Sequence, residues 1–180
     1  QTAEKRFSKW LAKFSAKLPA DYRTWWTPTP KVSSSNGTEF TVSADQIVQA
    51  HGPKPMHDDY RVVVSIPENL SQITGWRLEV LPHTSHVGGR FTRGGSGEFT
   101  LTTVRGLGRR KGTPTETELE TIRAVADVER NKKHKSDWDG RYAQIKRTLN
   151  DDARDGWTTL GVKAVKPHVG VYEFSKAWRV

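Results

Sequence analysis

The stretch from 83 to 97 holds the residues best suited to bind a ligand. Two histidines and two arginines, His83, His86, Arg90 and Arg93, lie there among glycines. Arginine forms paired, charge-assisted hydrogen bonds to carboxylate and sulfate groups, and glycine lets the backbone approach a ligand closely. Binding residues are concentrated on loops, so this stretch predicts a site for an anionic ligand.

Two adjacent tryptophans, Trp25 and Trp26, form a second candidate ligand site. Neighbouring residues of an extended chain point to opposite faces, so one ring can join the core while the other meets a partner. An exposed tryptophan can stack on a sugar face, as aromatic rings do on cations and bases. The alternative is that both rings are structural, which we expect of most of the seven tryptophans.

A polar turn offers oxygen ligands for calcium. Asn150, Asp151, Asp152 and Asp155 place four oxygen-bearing side chains within six residues, and calcium takes several such oxygens. The spacing is not that of an EF-hand, and a plain polar turn is the alternative. The two histidines of the 83–97 stretch could ligate a transition metal, but no third ligand is indicated, so calcium is the one cofactor left open.

No set of residues indicates an enzyme. The 180-residue chain has no cysteine, which excludes disulfides, thiol catalysis and metal sites built on cysteine. Adjacent carboxylates such as Asp58-Asp59 do not make an acid/base pair across a substrate. The glycine-rich stretch is neither a P-loop nor a dinucleotide fingerprint. We therefore predict a noncatalytic protein.

A net charge of +9 predicts an anionic partner, because a basic surface attracts nucleic acid, anionic lipid and acidic polysaccharide alike. The basic residues are spread over three segments, 1–31, 105–111 and 132–135. This spread favours a generally cationic surface over a single helix that reads nucleic acid, although solvated charged faces are the alternative. No apolar run is long enough to span a membrane.

The pattern of apolar residues predicts a mostly β chain with one helix. Apolar side chains at helical spacing predict an amphipathic helix over 3–18, ended by Pro19. We expect it to pack on the outside of the β domain through Phe7, Trp10, Phe14 and Leu18. Short alternating runs bounded by turn residues predict strands at 39–42, 46–49, 60–66, 76–81, 98–104 and 169–174. We expect residues 1–24 to form the helix and a linker, and residues 25–180 an antiparallel β-sandwich domain. In the fourth run, Trp76, Leu78 and Val80 should face the core. The segment 115–130 fits either a helix or a strand.

Several phrases of the chain resemble a module of large planctomycetal proteins that join a c-type cytochrome domain to domains of unknown function. The phrases cover nearly the whole chain, and Ile73-Thr-Gly-Trp-Arg-Leu-Glu-Val-Leu-Pro82 is the most specific. The others are Arg6–Leu11, Ala44–Tyr60, Gly88–Thr102, Leu149–Trp157 and His168–Phe174. Two segments depart from the family pattern, namely 96–98 and 150–152.

The resemblance implies a jelly-roll β-sandwich similar to galactose-binding and discoidin-like domains. It favours a strand within 115–130. It also implies an accessory module, excised from a larger cytochrome-containing protein, that lies in the periplasm or otherwise outside the cytoplasm. Together with the charge, it predicts a noncatalytic carbohydrate-binding module for an anionic polysaccharide. The alternative is a structural domain that docks against neighbouring domains of the same protein.

Overall fold

The computed structural model describes residues 2–15, 25–129 and 141–179. It contains the helix α1, Ala3–Ser15. Two 3-10 turns, Val87–Gly89 and Ile145–Leu149, follow later in the chain. The strands are β1 Lys31–Ser34, β2 Glu39–Val42, β3 Val48–His51, β4 Tyr60–Val63, β5 Gln72–Val80, β6 Thr100–Leu101, β7 Leu107–Gly108, β8 Thr117–Glu118, β9 Thr121–Ala126, β10 Trp157–Thr158 and β11 His168–Arg179. The chain is mostly β, as the sequence predicts.

The largest sheet has three antiparallel strands in the order β5-β11-β9. The central strand β11 pairs His168 with Val80 of β5 and Tyr172 with both Trp76 of β5 and Ala124 of β9. The remaining strands pair two by two: β1 with β4, β2 with β3, β6 with β10 and β7 with β8. One outer edge of the large sheet is therefore β9.

The core joins the large sheet to the β6–β10 pair and to the second 3-10 turn. Its buried centre consists of Ala124, Ile145, Trp157 and Tyr172. Trp76 stacks on Tyr172 with ring centroids 4.0 Å apart. Leu78 and Val80 pack against the same cluster, so the predicted core face of this strand is confirmed.

A second buried contact lies beside this core, at the start of β11. His168 is almost fully buried, and its Nδ1 lies 3.0 Å from a carboxylate oxygen of Asp127. Its ring also lies 5.2 Å from the ring of Phe91. These contacts fix the first residue of the strand against the segment that follows β9.

Most predicted strands are present, with shifted ends. The run 39–42 is reproduced as β2, whereas only residues 100–101 of the run 98–104 form a strand. The ambiguous segment 115–130 contains the strand β9, Thr121–Ala126. Residues 31–34, where the sequence predicts no strand, form β1, which pairs with β4.

The predicted packing of the N-terminal helix concerns residues that are only partly described. Trp10 is 56% exposed. Residues 16–24, which contain Leu18, and the basic block 132–135 lie outside the described residues. The packing of α1 on a sandwich therefore stays a prediction.

Candidate functional site

Arg90, in the glycine-rich stretch, is bound within the chain. Its guanidinium lies 2.5 Å from Glu98, and both side chains are mostly buried, with exposed fractions of 20% and 11%. It also donates to the carbonyl of Val162 at 2.7 Å. Glu98 in turn accepts from the hydroxyl of Thr159 at 2.6 Å. Arg90 thus ties the loop to the segment after β10.

The other three predicted residues of this stretch also contact their own chain. Arg93 donates to the carbonyls of Gly52 and Pro53, at 2.7 and 2.9 Å. His86 Nδ1 lies 3.0 Å from the carbonyl of Arg90, and His83 Nδ1 lies 2.7 Å from the hydroxyl of Ser85. The structure does bring the two histidines together, with ring centroids 5.5 Å apart. The arginines, however, hold the loop in place.

Both tryptophans of the second predicted site reach solvent. Trp25 is 47% exposed and Trp26 is 39% exposed. The guanidinium of Arg77 lies over the Trp25 ring, 5.4 Å from its centroid. Neither ring is therefore buried in the core, and a role of the two tryptophans in ligand binding stays a prediction.

The predicted calcium turn uses its carboxylates in separate contacts. Asp151 accepts two hydrogen bonds from Arg105, at 3.0 and 2.7 Å. Asp152 is bound by Arg154, and hydrogen bonds from this arginine lower the pKa of Asp152 to about 2. The amide of Asn150 donates to Asp155 at 3.2 Å. Among the described residues, no three acidic or histidine side chains converge as a metal site.

A groove that the sequence did not indicate lies at the outer edge of the large sheet. It has a volume of about 500 Å³ and runs between β9 and the second 3-10 turn. Ile122, Ala124 and Leu149 supply its apolar surface. Ala124 is buried while Ile122 is 59% exposed, so the groove has a packed floor and an open apolar wall.

Three cationic residues are among those that line this groove, which we call the cationic groove: Arg123, Lys146 and Arg147. Its lining contains no carboxylate among the described residues. Arg123 lies 3.7 Å from Glu173 in an exposed pair, and such pairs are weak in water. Arg147 lies 3.9 Å from Asp155 and donates to the carbonyl of Arg141 at 3.1 Å. Lys146 is exposed and has no ion pair with any described residue.

A second groove with the opposite charge adjoins the first, and we call it the acidic groove. It has a volume of about 340 Å³ and is lined by Glu118, Glu120 and Asp151 together with Arg105. The two grooves share Thr121 and Leu149 as lining residues. The hydrogen bonds and the charge of Asp151 raise the pKa of Arg105, so that this arginine stays fully charged within the pair.

The sequence contains no pattern from which the cationic groove could have been predicted. Arg123 lies in a strand, and Lys146 and Arg147 lie in a turn some twenty residues later. None of them is near a glycine-rich loop, and none belongs to the three basic segments of the sequence. Only the packing of the turn against the edge of β9 places these residues around one groove, and no spacing rule in the sequence encodes that packing.

A row of apolar side chains is exposed on β4 and just after it. Tyr60, Val62, Val63 and Val64 are between 36% and 58% exposed. This strand pairs with β1 on one side. Within the described part of the chain, no helix has the length and apolar character to cross a bilayer.

Comparison with known protein families, characterised proteins and solved structures finds no match to this chain.

Proposed function

We propose that this chain is a noncatalytic, carbohydrate-binding accessory module for an anionic polysaccharide. The proposal includes a β-sandwich of the galactose-binding-like kind, within a larger cytochrome-containing protein outside the cytoplasm. The sequence resemblance supports this setting. The contact of the large sheet with the β6–β10 pair across one core supports the two-layer arrangement.

The cationic groove is the observation that carries the proposal. Its apolar wall can meet the C–H face of a sugar, while Lys146 can bind a carboxylate or sulfate at the rim. Charge-assisted hydrogen bonds of this kind are stronger than neutral ones. The net charge of +9 raises the local concentration of a polyanion around it.

The lining of the cationic groove supports a binding role. Among the described residues that line it, none is an acid or a histidine. General acid–base catalysis needs such a group within hydrogen-bond reach of the reacting atom. This composition favours binding over general acid–base catalysis in this groove.

Titration calorimetry with a panel of sulfated, uronate and neutral polysaccharides tests the proposal. We expect binding of the anionic members, with an affinity that falls as salt rises, because exposed charges are screened within about 10 Å at 0.1 M salt. Lack of binding to every anionic member, or equal binding of neutral and anionic members, would contradict the proposal.

The exposed apolar row on β4 favours a second candidate function. A structural domain that docks against a neighbouring domain needs an exposed apolar surface, and the exposed Val62 and Val64 provide one. If docking is the function, Val62→Thr together with Val64→Thr should abolish co-purification with the adjoining domains of the parent protein. Glycan binding should not change in this variant.

A further inference from the structure

The two histidines of the 83–97 stretch each use one ring nitrogen within the chain and leave the other free. His86 Nδ1 lies 3.0 Å from the carbonyl oxygen of Arg90, to which it donates. His83 Nδ1 lies 2.7 Å from the hydroxyl of Ser85 and 3.2 Å from its backbone nitrogen. No described residue forms a hydrogen bond with the Nε2 atom of either ring. Both Nε2 atoms are therefore available to an external partner.

The two rings lie close enough to share one metal ion. Their centroids are 5.5 Å apart, and their planes are inclined by 61°. Two imidazoles on one ion, each with a metal–nitrogen bond of about 2.0–2.1 Å, have centroids about 4.5–5.3 Å apart for angles between square and tetrahedral. His83 is exposed and His86 is half-buried, so a small rotation of the side chains closes the difference.

The backbone of the loop holds the two residues in this arrangement. The N–H of His86 donates to the carbonyl of His83 at 2.9 Å, which closes a tight turn between them. The N–H of His83 donates to the carbonyl of Arg90 at 3.0 Å, the same oxygen that the His86 ring contacts. Arg90 is itself bound to Glu98 and Val162. Because the loop is already ordered, an ion that binds here pays less for ordering its ligands.

The Nδ1 contacts suit a histidine that binds a metal through Nε2. Metal-binding histidines almost always donate their other ring N–H to a carbonyl, a carboxylate or water, and the Arg90 carbonyl serves His86 in this way. In His83, Nδ1 accepts from the Ser85 N–H, so ion binding must move the ring proton from Nε2 to Nδ1. The Ser85 hydroxyl can then accept that proton, since a hydroxyl both donates and accepts. The contacts that are lost, from the Ser85 N–H at 3.2 Å and the Gln49 amide at 3.4 Å, are long.

The surroundings of the histidines select the class of ion. Arg90 and Arg93 place two positive charges in the same loop. Among the described residues, no acidic side chain joins the two histidines in a group of three metal ligands. A hard cation such as calcium, which takes several oxygens, is therefore disfavoured. Imidazole nitrogen suits Zn²⁺, Ni²⁺ and Cu²⁺, and for a given set of nitrogens the affinity is highest for Cu²⁺.

We propose that His83 and His86 form a binding site for a divalent transition-metal ion, with Cu²⁺ bound most tightly. The two Nε2 atoms hold the ion, and water completes its coordination. Since the site has two protein ligands, it is open to exchange of the ion. The inference is independent of the proposed glycan binding, because it uses neither the cationic groove nor a polysaccharide.

Titration calorimetry of the full chain with Cu²⁺ tests the proposal. We expect His83→Asn and His86→Asn each to weaken binding at least about tenfold, since even the loss of an outer-shell partner costs that much. His57→Asn removes an exposed histidine outside the site and is the control, with unchanged affinity. Electron paramagnetic resonance of the bound Cu²⁺ should show two imidazole nitrogens in the wild type and one in either site variant.

The role of Ser85 has its own test. Ser85→Ala removes the hydroxyl that accepts the His83 Nδ1 proton and should weaken Cu²⁺ binding about tenfold. Thr84→Ala removes the neighbouring exposed hydroxyl and should leave the affinity unchanged. Equal affinity of the Ser85 variant and the wild type would overturn the proton shift that we assign to His83.

A last measurement separates a folded site from chelation by two nearby histidines in an unfolded segment. An ion that prefers the folded chain raises its stability, so saturating Cu²⁺ should raise the urea midpoint of the wild type but not that of His86→Asn. If the midpoint does not rise, the folded site is overturned. If both site variants bind Cu²⁺ as the wild type does, the ion lies elsewhere and the proposal is wrong. Neither result bears on glycan binding, which the polysaccharide panel tests separately.

Discussion

At the scale of single residues, the buried Tyr172 makes the stability of the core depend on pH in the alkaline range. Its side chain is fully buried, and its hydroxyl lies 3.1 Å from that of Thr148. Burial raises the pKa of Tyr172 to about 12, although the hydrogen bond with Thr148 lowers it slightly. The unfolded chain has the ordinary tyrosine pKa of 10.0, so it loses this proton first.

We expect stability to fall between pH 10 and pH 12 because of this tyrosine. A pKa that is higher in the folded state contributes stability that is present below pH 10 and lost as pH rises toward 12. The loss amounts to about 3 kcal/mol, since each pKa unit corresponds to about 1.4 kcal/mol. Urea unfolding at a series of pH values measures it. Tyr172→Phe should not show this part of the alkaline loss, and an unchanged pH profile in that variant would contradict the assignment.

Asp58 affects the stability of the protein at acidic pH. Its partial removal from water raises its pKa, but the hydroxyls of Thr38 and Ser34, the Asn36 N–H and the Ser35 hydroxyl together lower it from 3.8 to about 2. These hydrogen bonds connect the end of β1 and the segment that follows it to the residues just before β4.

The expected result is a loss of stability as pH falls from about 4 toward 2. A pKa that is lower in the folded state contributes stability above the unfolded value, and this contribution disappears as the folded carboxylate is protonated. Asp58→Asn should flatten that part of the pH profile of urea unfolding. Asp59→Asn, which removes the neighbouring charge, is the matched control and should leave the slope unchanged.

The ligand residues chosen from the sequence illustrate why residue type alone misplaces a site. Arg90 and Arg93 have the right chemistry for an anion, and they bind oxygen atoms as expected, but these oxygens belong to Glu98, Val162, Gly52 and Pro53. A loop rich in glycine has few side chains of its own to stabilise it, so long arginine side chains do this. The sequence cannot distinguish an internal partner from an external one.

At the scale of elements, the close approach of β5 and β11 depends on a glycine. A Cβ placed on Gly75 would lie 2.2 Å from the carbonyl oxygen of Tyr172. The two backbones would have to separate where the large sheet is widest, because a main-chain oxygen cannot move aside as a side chain can.

We expect Gly75→Ala to lower the free energy of unfolding by about 1–3 kcal/mol, the usual cost of forcing volume into a packed site. Gly95→Ala is the control, since nothing lies within 4 Å of its Cβ position. Chemical denaturation of both variants decides the point. Equal stability of the two would show that the strands can separate at little cost.

Local sequence patterns predict some of the strands but not others. In β5, alternation is clear because one face packs on the core, and the sequence predicts both the strand and its buried side chains. In β1, all four residues are at least partly exposed, so there is no alternation of apolar side chains to detect. That strand exists because its backbone pairs with β4, and such pairing depends on a segment about thirty residues away.

At the scale of the whole molecule, the central core cluster of the described residues lies within 76–172. Every member of the central cluster and every partly buried side chain packed against it comes from this range. None of the α1 side chains that the structure describes is among them. The core should therefore not depend on the first 24 residues.

A chain of residues 25–180 should fold with a free energy of unfolding within about 1 kcal/mol of the full chain, as for changes remote from the core. Urea denaturation followed by tryptophan fluorescence compares the two. A shorter chain that shows no cooperative transition would mean that residues 1–24 pack on the domain and belong to it.

The position of β11 also bears on how the chain reaches its native state. This strand follows all other described strands in the sequence, yet it occupies the middle of the β5-β11-β9 sheet. During synthesis, β5 and β9 emerge long before the strand that joins them, and contacts between such distant segments slow folding. Until then their edges are open to pairing with other chains. Proteolytic loss of the 12-residue strand would remove the sheet's centre and leave two nascent edges without a common partner.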